Sequence, residues 1–135
     1  MTSQNGHDRH ARILIVEDDT AMRALLMDEL REAGYHVSQA VDGADGVQKL
    51  LQAAATGAYD LMITDLKMPK LSGQGLMKIV NERYPAMPVI AITAFADEPE
   101  FVKPYHTEFV AYLRKPFKME ELKSAVRVAL LNRRK

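Results

Sequence analysis

The sequence contains no cysteine, which excludes disulfides and any chemistry that needs a thiolate. Neither sign of charge is in excess: Lys plus Arg and Asp plus Glu number 18 each, for a formal net charge of zero. Sequence-independent attraction to nucleic acid or to an anionic membrane therefore has no electrostatic basis. No apolar stretch approaches bilayer length, and the N-terminus lacks the apolar core of a signal peptide. Internal repeats, linkers and a second domain are also missing from the pattern. The expectation is a cytoplasmic protein that contacts neither a membrane nor, directly, nucleic acid.

What is present is the composition of a folded domain. Of 135 residues, 47% are apolar and 27% charged, enough to bury one core of ordinary size. Met1 to His10 is polar and aperiodic, and is expected to be a disordered tail. Its histidines, His7 and His10, read as solvated groups rather than metal ligands. Residues 11–135 are expected to form one domain.

Within that domain strands alternate with helices. Arg12-Ile13-Leu14-Ile15-Val16 is a continuous aliphatic run, as expected of a strand covered on both faces. A helix follows with Met22, Leu25, Leu26, Leu30 and Ala33 at helical spacing, closed by Gly34. Tyr35 to Ala40 is a more polar strand, expected nearer a sheet edge. After the Asp42-Gly43 turn, a second helix sets Val47, Leu50, Leu51 and Ala54 on one face and stops by Gly57. Leu61 to Thr64 is a third strand. Ser72 can cap a third helix bearing Leu76, Ile79 and Val80, which ends near Tyr84-Pro85. Val89 to Ile92 and Phe109 to Leu113 complete five strands, and a last helix runs from Lys118 to about Asn132. Such alternation specifies a doubly wound parallel sheet.

The ends of these strands carry the chemistry. Strand one runs into Glu17 and Asp18, strand three into Asp65, strand four into Thr93 and strand five into Lys115. In an open α/β sheet, ligands bind outside the carboxyl ends of the strands. Three carboxylates close together hold protons unless a cation shares them. Hard oxygen ligands beside open solvent suit magnesium, which keeps several waters and takes phosphate oxygens at its remaining positions. A carboxylate can itself be the nucleophile in phosphoryl transfer. The rest is positioning and charge neutralisation, which a metal, an ammonium and a hydroxyl supply.

These pieces, in this order, resemble the response-regulator receiver domain of two-component signalling, the chemotaxis-regulator-like type included. The matching segments are Ile13 to Asp19, Asp60 to Pro69 with Ser72-Gly73, Val89 to Ala94, and Arg114-Lys115-Pro116-Phe117; the resemblance covers about residues 11–132. It implies a flavodoxin-like fold, a doubly wound five-stranded parallel sheet in the order 2-1-3-4-5. It implies Asp65 as phosphoacceptor, receiving a phosphoryl group from a cognate histidine kinase or phosphotransfer protein. Asp18 would ligate Mg2+ directly and Glu17 through water, with Asp65 and the backbone carbonyl of Lys67 completing the protein ligands. Thr93, the backbone of Ala94 and Lys115 would bind the phosphoryl group. The Lys115-Pro116 peptide would be cis, which proline alone makes cheap. Thr93 and Tyr112 would form the switch: a phosphorylated Asp65 draws Thr93 inward, and the aromatic ring moves into the space behind it. Asp19, one position past the acidic pair, is assigned to the start of the first helix. The output would be a downstream protein target or a fused output domain, and the resemblance also admits a homodimer.

The chain departs from the family between Phe95 and Thr107. A fourth helix is expected there, yet the interval holds Pro99, Pro104 and no glycine. Pro99 can open a helix, but Pro104 inside one costs about 3 kcal/mol. A short or irregular fourth helix is therefore expected. Lys67 and Phe95 flank the site, where side chains can admit or exclude the water that hydrolyses an acyl phosphate.

Two rival readings start from the same residues. One is an Asp-nucleophile phosphatase acting on a small molecule; Leu66-Lys67 after Asp65 offers it no second carboxylate as general acid. The other is a receiver-like interaction module with weak or no phosphorylation, which the presence of Glu17, Asp18, Asp65, Thr93 and Lys115 together disfavours.

Overall fold

Continuous aliphatic runs bounded by polar turns form five strands in the computed structural model, which describes residues 11–55, 57–65, 73–93 and 109–132. Side chains are described for all of these except residues 73, 74, 93, 109–112 and 132. The strands are β1 (Arg12–Val16), β2 (His36–Ala40), β3 (Leu61–Asp65), β4 (Val89–Thr93) and β5 (Phe109–Arg114). Among the described residues there are four helices: α1 (Thr20–Glu32), α2 (Gly43–Ala53), α3 (Gly73–Arg83) and α4 (Met119–Asn132). All strand pairs are parallel, in the order β2-β1-β3-β4-β5. This is the doubly wound parallel sheet that the alternating pattern predicts, in the flavodoxin-like order that the family resemblance implies. The interval expected to hold a short or irregular helix, 95–107, lies outside the described residues.

Side chains alternate across the central strands and divide the core into two layers. Ile13, Ile15, Ile63 and Ile90 pack on one face with Leu26 and Leu30 of α1 and Leu122 and Val126 of α4. Leu14, Val16, Met62 and Val89 pack on the other with Leu50 of α2 and Leu76, Met77 and Val80 of α3. Both faces of β1 and β3 are covered, which is why Ile13 to Val16 and Leu61 to Ile63 are apolar without a break. β2 stands at the edge, and there His36 and Gln39 are exposed.

Two helices bury a slightly different stripe from the one expected. α1 buries Leu26, Met27 and Leu30, and leaves Leu25 43% exposed. α2 buries Gly43, Gly46, Leu50 and Ala53, and leaves Leu51 47% exposed and Ala54 outside the helix as its cap. Each helical residue turns by roughly 100°, so Leu25 and Leu51 fall just off stripes that sequence spacing alone leaves adjustable by one position.

The helix starts are closed by acidic side chains. Asp19 caps α1, accepting hydrogen bonds from the backbone amides of Ala21 and Met22. Asp42 caps α2 by accepting from the Asp45 amide, while Asp45 accepts in return from the Val41 amide, a reciprocal cap that satisfies two backbone donors. Gly34, with φ of 101°, reverses the chain after α1.

Gly46 sets how closely α2 lies on the sheet. A Cβ at this position would stand 3.2 Å from Cγ2 of Val16 and 3.6 Å from Cδ2 of Leu76. Gly46→Val is expected to destabilise the domain by about 1–3 kcal/mol through overpacking. Adding Val16→Ala should cost less than it does alone, because the two side chains compete for one space; urea unfolding of the four proteins in that cycle checks this.

Candidate functional site

Parallel strands point the same way, so the carboxyl ends of β1, β3, β4 and β5 form one edge. Val16 is in register with Thr64, which sets the next residues, Glu17 and Asp65, side by side. Thr93 closes β4 opposite Arg114, and Lys115 follows immediately. The Lys115-Pro116 peptide is cis.

The acids and the lysine meet. Carboxylate oxygens of Glu17, Asp18 and Asp65 all lie within 4.8 Å of one another. Glu17 is 1% and Asp65 6% exposed, whereas Asp18 is open to solvent. The Lys115 ammonium donates a hydrogen bond to Oδ2 of Asp65 at 2.9 Å and stands 3.6 Å from Oε1 of Glu17. Oε2 of Glu17 accepts from the Asp19 amide at 3.0 Å. Oε1 is buried and has no hydrogen-bond partner among the described residues.

Of the remaining expected site residues, Lys67 and Ala94 lie outside the described residues, as do the side chains of Thr93 and Tyr112. The backbone places Tyr112 in register with Ala91 on β4. Two side chains that sequence reasoning passed over also touch the site. Thr64 donates from its buried hydroxyl to the Asp65 carbonyl at 2.9 Å. Arg23, half-buried on α1, donates from Nη1 to the Glu17 carbonyl at 2.8 Å. Its spacing four residues after the helix cap Asp19, one turn back toward the strand end, was the available signal. An apolar cavity of about 380 Å³ lined by Leu50, Tyr59 and Met87 opens before the start of β3 and holds none of these groups.

The electrostatics follow from burial and crowding. Burial pushes the Glu17 carboxyl up, and the neighbouring charges of Asp65 and Asp18 add to it; the Asp19 amide and Lys115 pull the other way, and the result is about 7 against an ordinary 4.5. Burial by itself would lower the Lys115 ammonium, but its hydrogen bond and charge pairing with Asp65, and the charge of Glu17, hold it above its usual value. Among the described residues, the Lys115 ammonium pairs with Asp65 and Glu17, two of the three carboxylates of the cluster. Three clustered carboxylates, one with a buried oxygen that accepts no hydrogen bond among the described residues, form the all-oxygen donor set that suits a hard divalent cation such as Mg2+.

A family model of the response regulator receiver domain matches residues 13–127. The chain belongs to that family. It is 34% identical over 117 residues to the transcriptional regulatory protein DltR of Streptococcus agalactiae, an alignment covering 87% of this chain and 50% of DltR. It is 32% identical over 118 residues to the DNA-binding transcriptional regulator NtrC of Escherichia coli, covering 87% of this chain and 24% of NtrC. This receiver domain thus spans half or less of the length of these curated relatives. Among solved structures, the response regulator TrrA of Thermotoga maritima, crystallised in complex with Mg2+-BeF, superposes with a TM-score of 0.76 at 31% identity, covering 89% of this chain and 99% of TrrA. Receiver domains of response regulators are regulatory modules of two-component systems. No helix of the described residues is long and apolar enough to cross a membrane.

The raised Glu17 carboxyl has a consequence for metal-free protein. A carboxyl whose folded pKa exceeds its unfolded value stabilises the fold below about 4.5, and that contribution is lost as pH rises through about 7. The shift corresponds to roughly 3 kcal/mol between the two protonation states. In chelator, stability should therefore fall from pH 5 to pH 8, and Glu17→Gln should flatten the decline and be the more stable protein at pH 8. Urea unfolding at intervals across that range measures both.

Proposed function

We propose that this receiver domain is a phosphorylation-activated switch whose phosphoacceptor is Asp65. The observation that carries the reading is the placement of Lys115, 2.9 Å from Asp65, within a cluster of three carboxylates. In the transfer, a carboxylate oxygen of Asp65 attacks the phosphorus of a phosphohistidine on a cognate histidine kinase or phosphotransfer protein. The O–P bond forms as the P–N bond breaks, and the imidazole nitrogen leaves with the electron pair. Lys115 pairs its ammonium with a phosphoryl oxygen, while Thr93 and the Ala94 amide donate to the others. Asp18, Asp65 and the Lys67 carbonyl, with Glu17 through water, would hold Mg2+, which would supply charge neutralisation for the phosphoryl oxygens. Hydrolysis of the acyl phosphate returns Asp65 to its carboxylate, so the catalysis is confined to the domain's own phosphorylation and dephosphorylation.

The signal passes through Thr93 and Tyr112, which change the surface presented to a downstream protein target or to a fused output domain. A bias of a few kcal/mol between two arrangements is enough for such a switch. The domain itself works in the cytoplasm without direct nucleic-acid contact, and homodimerisation is one route by which the altered surface is read.

Intact-mass analysis after incubation with acetyl phosphate and Mg2+ tests this. One added phosphoryl group is expected, absent in Asp65→Asn and absent without metal. Lys115→Met should slow its appearance by about 100-fold, the scale of removing one preorganised charge at a developing anion. A folded wild-type protein that takes up no phosphoryl group from acetyl phosphate or from any phosphohistidine donor would leave an interaction module instead.

A further inference from the structure

We propose that Arg23 is a positioning residue for the cation site: it holds the peptide unit that joins Glu17 to Asp18, and thereby aims both carboxylates at one cation. The inference rests on the reading of Glu17, Asp18 and Asp65 as a Mg2+ site. The carbonyl of Glu17 and the amide of Asp18 belong to one planar peptide. Fixing that carbonyl fixes the rotation about the bonds on either side of it, and so the directions in which the two side chains leave the backbone.

The surrounding contacts show why this peptide needs an external hold. On its near side, the Glu17 amide donates to the Ala40 carbonyl at 3.1 Å, the last tie to the sheet. On its far side, the Asp19 amide donates to Oε2 of Glu17, and Asp19 begins the cap of α1. Between these ties the strand has ended and the helix has not begun. Arg23 supplies the missing one, donating from Nη1 to the Glu17 carbonyl at 2.8 Å. Its Nε donates to the side-chain oxygen of Gln39 at 3.0 Å. Two donors of a rigid planar fork are thus engaged, one on the strand-end peptide and one on the β2 side chain.

A purely structural role for Arg23 is weaker. α1 is already anchored by buried Leu26, Met27 and Leu30 and capped by Asp19. Removing one half-buried side chain from such a helix leaves the helix in place, but frees the peptide between the acids. Outer partners of this kind orient metal ligands, and their loss is felt in metal affinity.

The test is Mg2+ titration of wild type, Arg23→Met, Arg23→Lys and Gln39→Ala, followed by the backbone amide NMR shifts of residues 17–19, with urea unfolding of each protein alongside. The Met variant should bind about 10-fold more weakly than wild type, the Lys variant in between, and Gln39→Ala within about twofold of wild type. A Met variant that binds Mg2+ as wild type does overturns the proposal; should it not fold, a Lys variant with wild-type affinity does the same. An equal loss in Gln39→Ala also overturns it, because the effect would then belong to the tie between α1 and β2. Wild-type protein that shows no Mg2+-dependent shift sinks the cation-site reading itself, whatever Arg23 does.

Discussion

An ammonium shared between two buried carboxylates is the interaction on which the site depends. Glu17 and Asp65 stand side by side with almost no water to spread their charge, and Lys115 reaches both. It hydrogen-bonds Asp65 and pairs at 3.6 Å with Oε1 of Glu17, an oxygen that accepts no hydrogen bond among the described residues. Adding the open carboxylate of Asp18 puts the cluster further into negative excess. Such a cluster of Glu17, Asp18 and Asp65 is consistent with Mg2+ binding.

The sheet makes this crowding possible. Its central strands are apolar on both faces because helices cover both, so polar groups find room only at the strand ends. Parallel pairing sends all those ends to one edge, and register does the fine placement. Val16 opposite Thr64 makes neighbours of Glu17 and Asp65, and Thr93 opposite Arg114 brings Lys115 to the same edge. A slip of one residue in either pairing would turn one of these side chains to the wrong face. Membership of the receiver family and the superposition on TrrA agree with that arrangement. DltR and NtrC extend well beyond the matched region.

Local hydrogen bonds then set orientation. Asp19 ends the acidic run of β1 by capping α1, which separates its role from that of the pair before it. Thr64 and Arg23 each donate a side-chain hydrogen bond to the backbone carbonyl of a strand-end acid, Asp65 and Glu17.

The sequence by itself determined the fold class, the edge position of β2 and the strand-end residues that form the site. Each of these follows from local signals: aliphatic runs, turn residues, and a charged residue where an apolar run stops. It also placed Asp19 at the start of α1. Helix faces were legible only to within a position, since Leu25 and Leu51 satisfy helical spacing yet lie outside the buried stripes, and which stripe is buried depends on how the helix rotates against the sheet. Only the tertiary structure decided that Lys115 divides itself between Asp65 and Glu17, that Glu17 rather than Asp18 is the buried acid, and that Arg23 grips the peptide between them. Those are relations between residues up to about a hundred positions apart, set by strand register and by the depth of burial, and no local pattern in the chain encodes either.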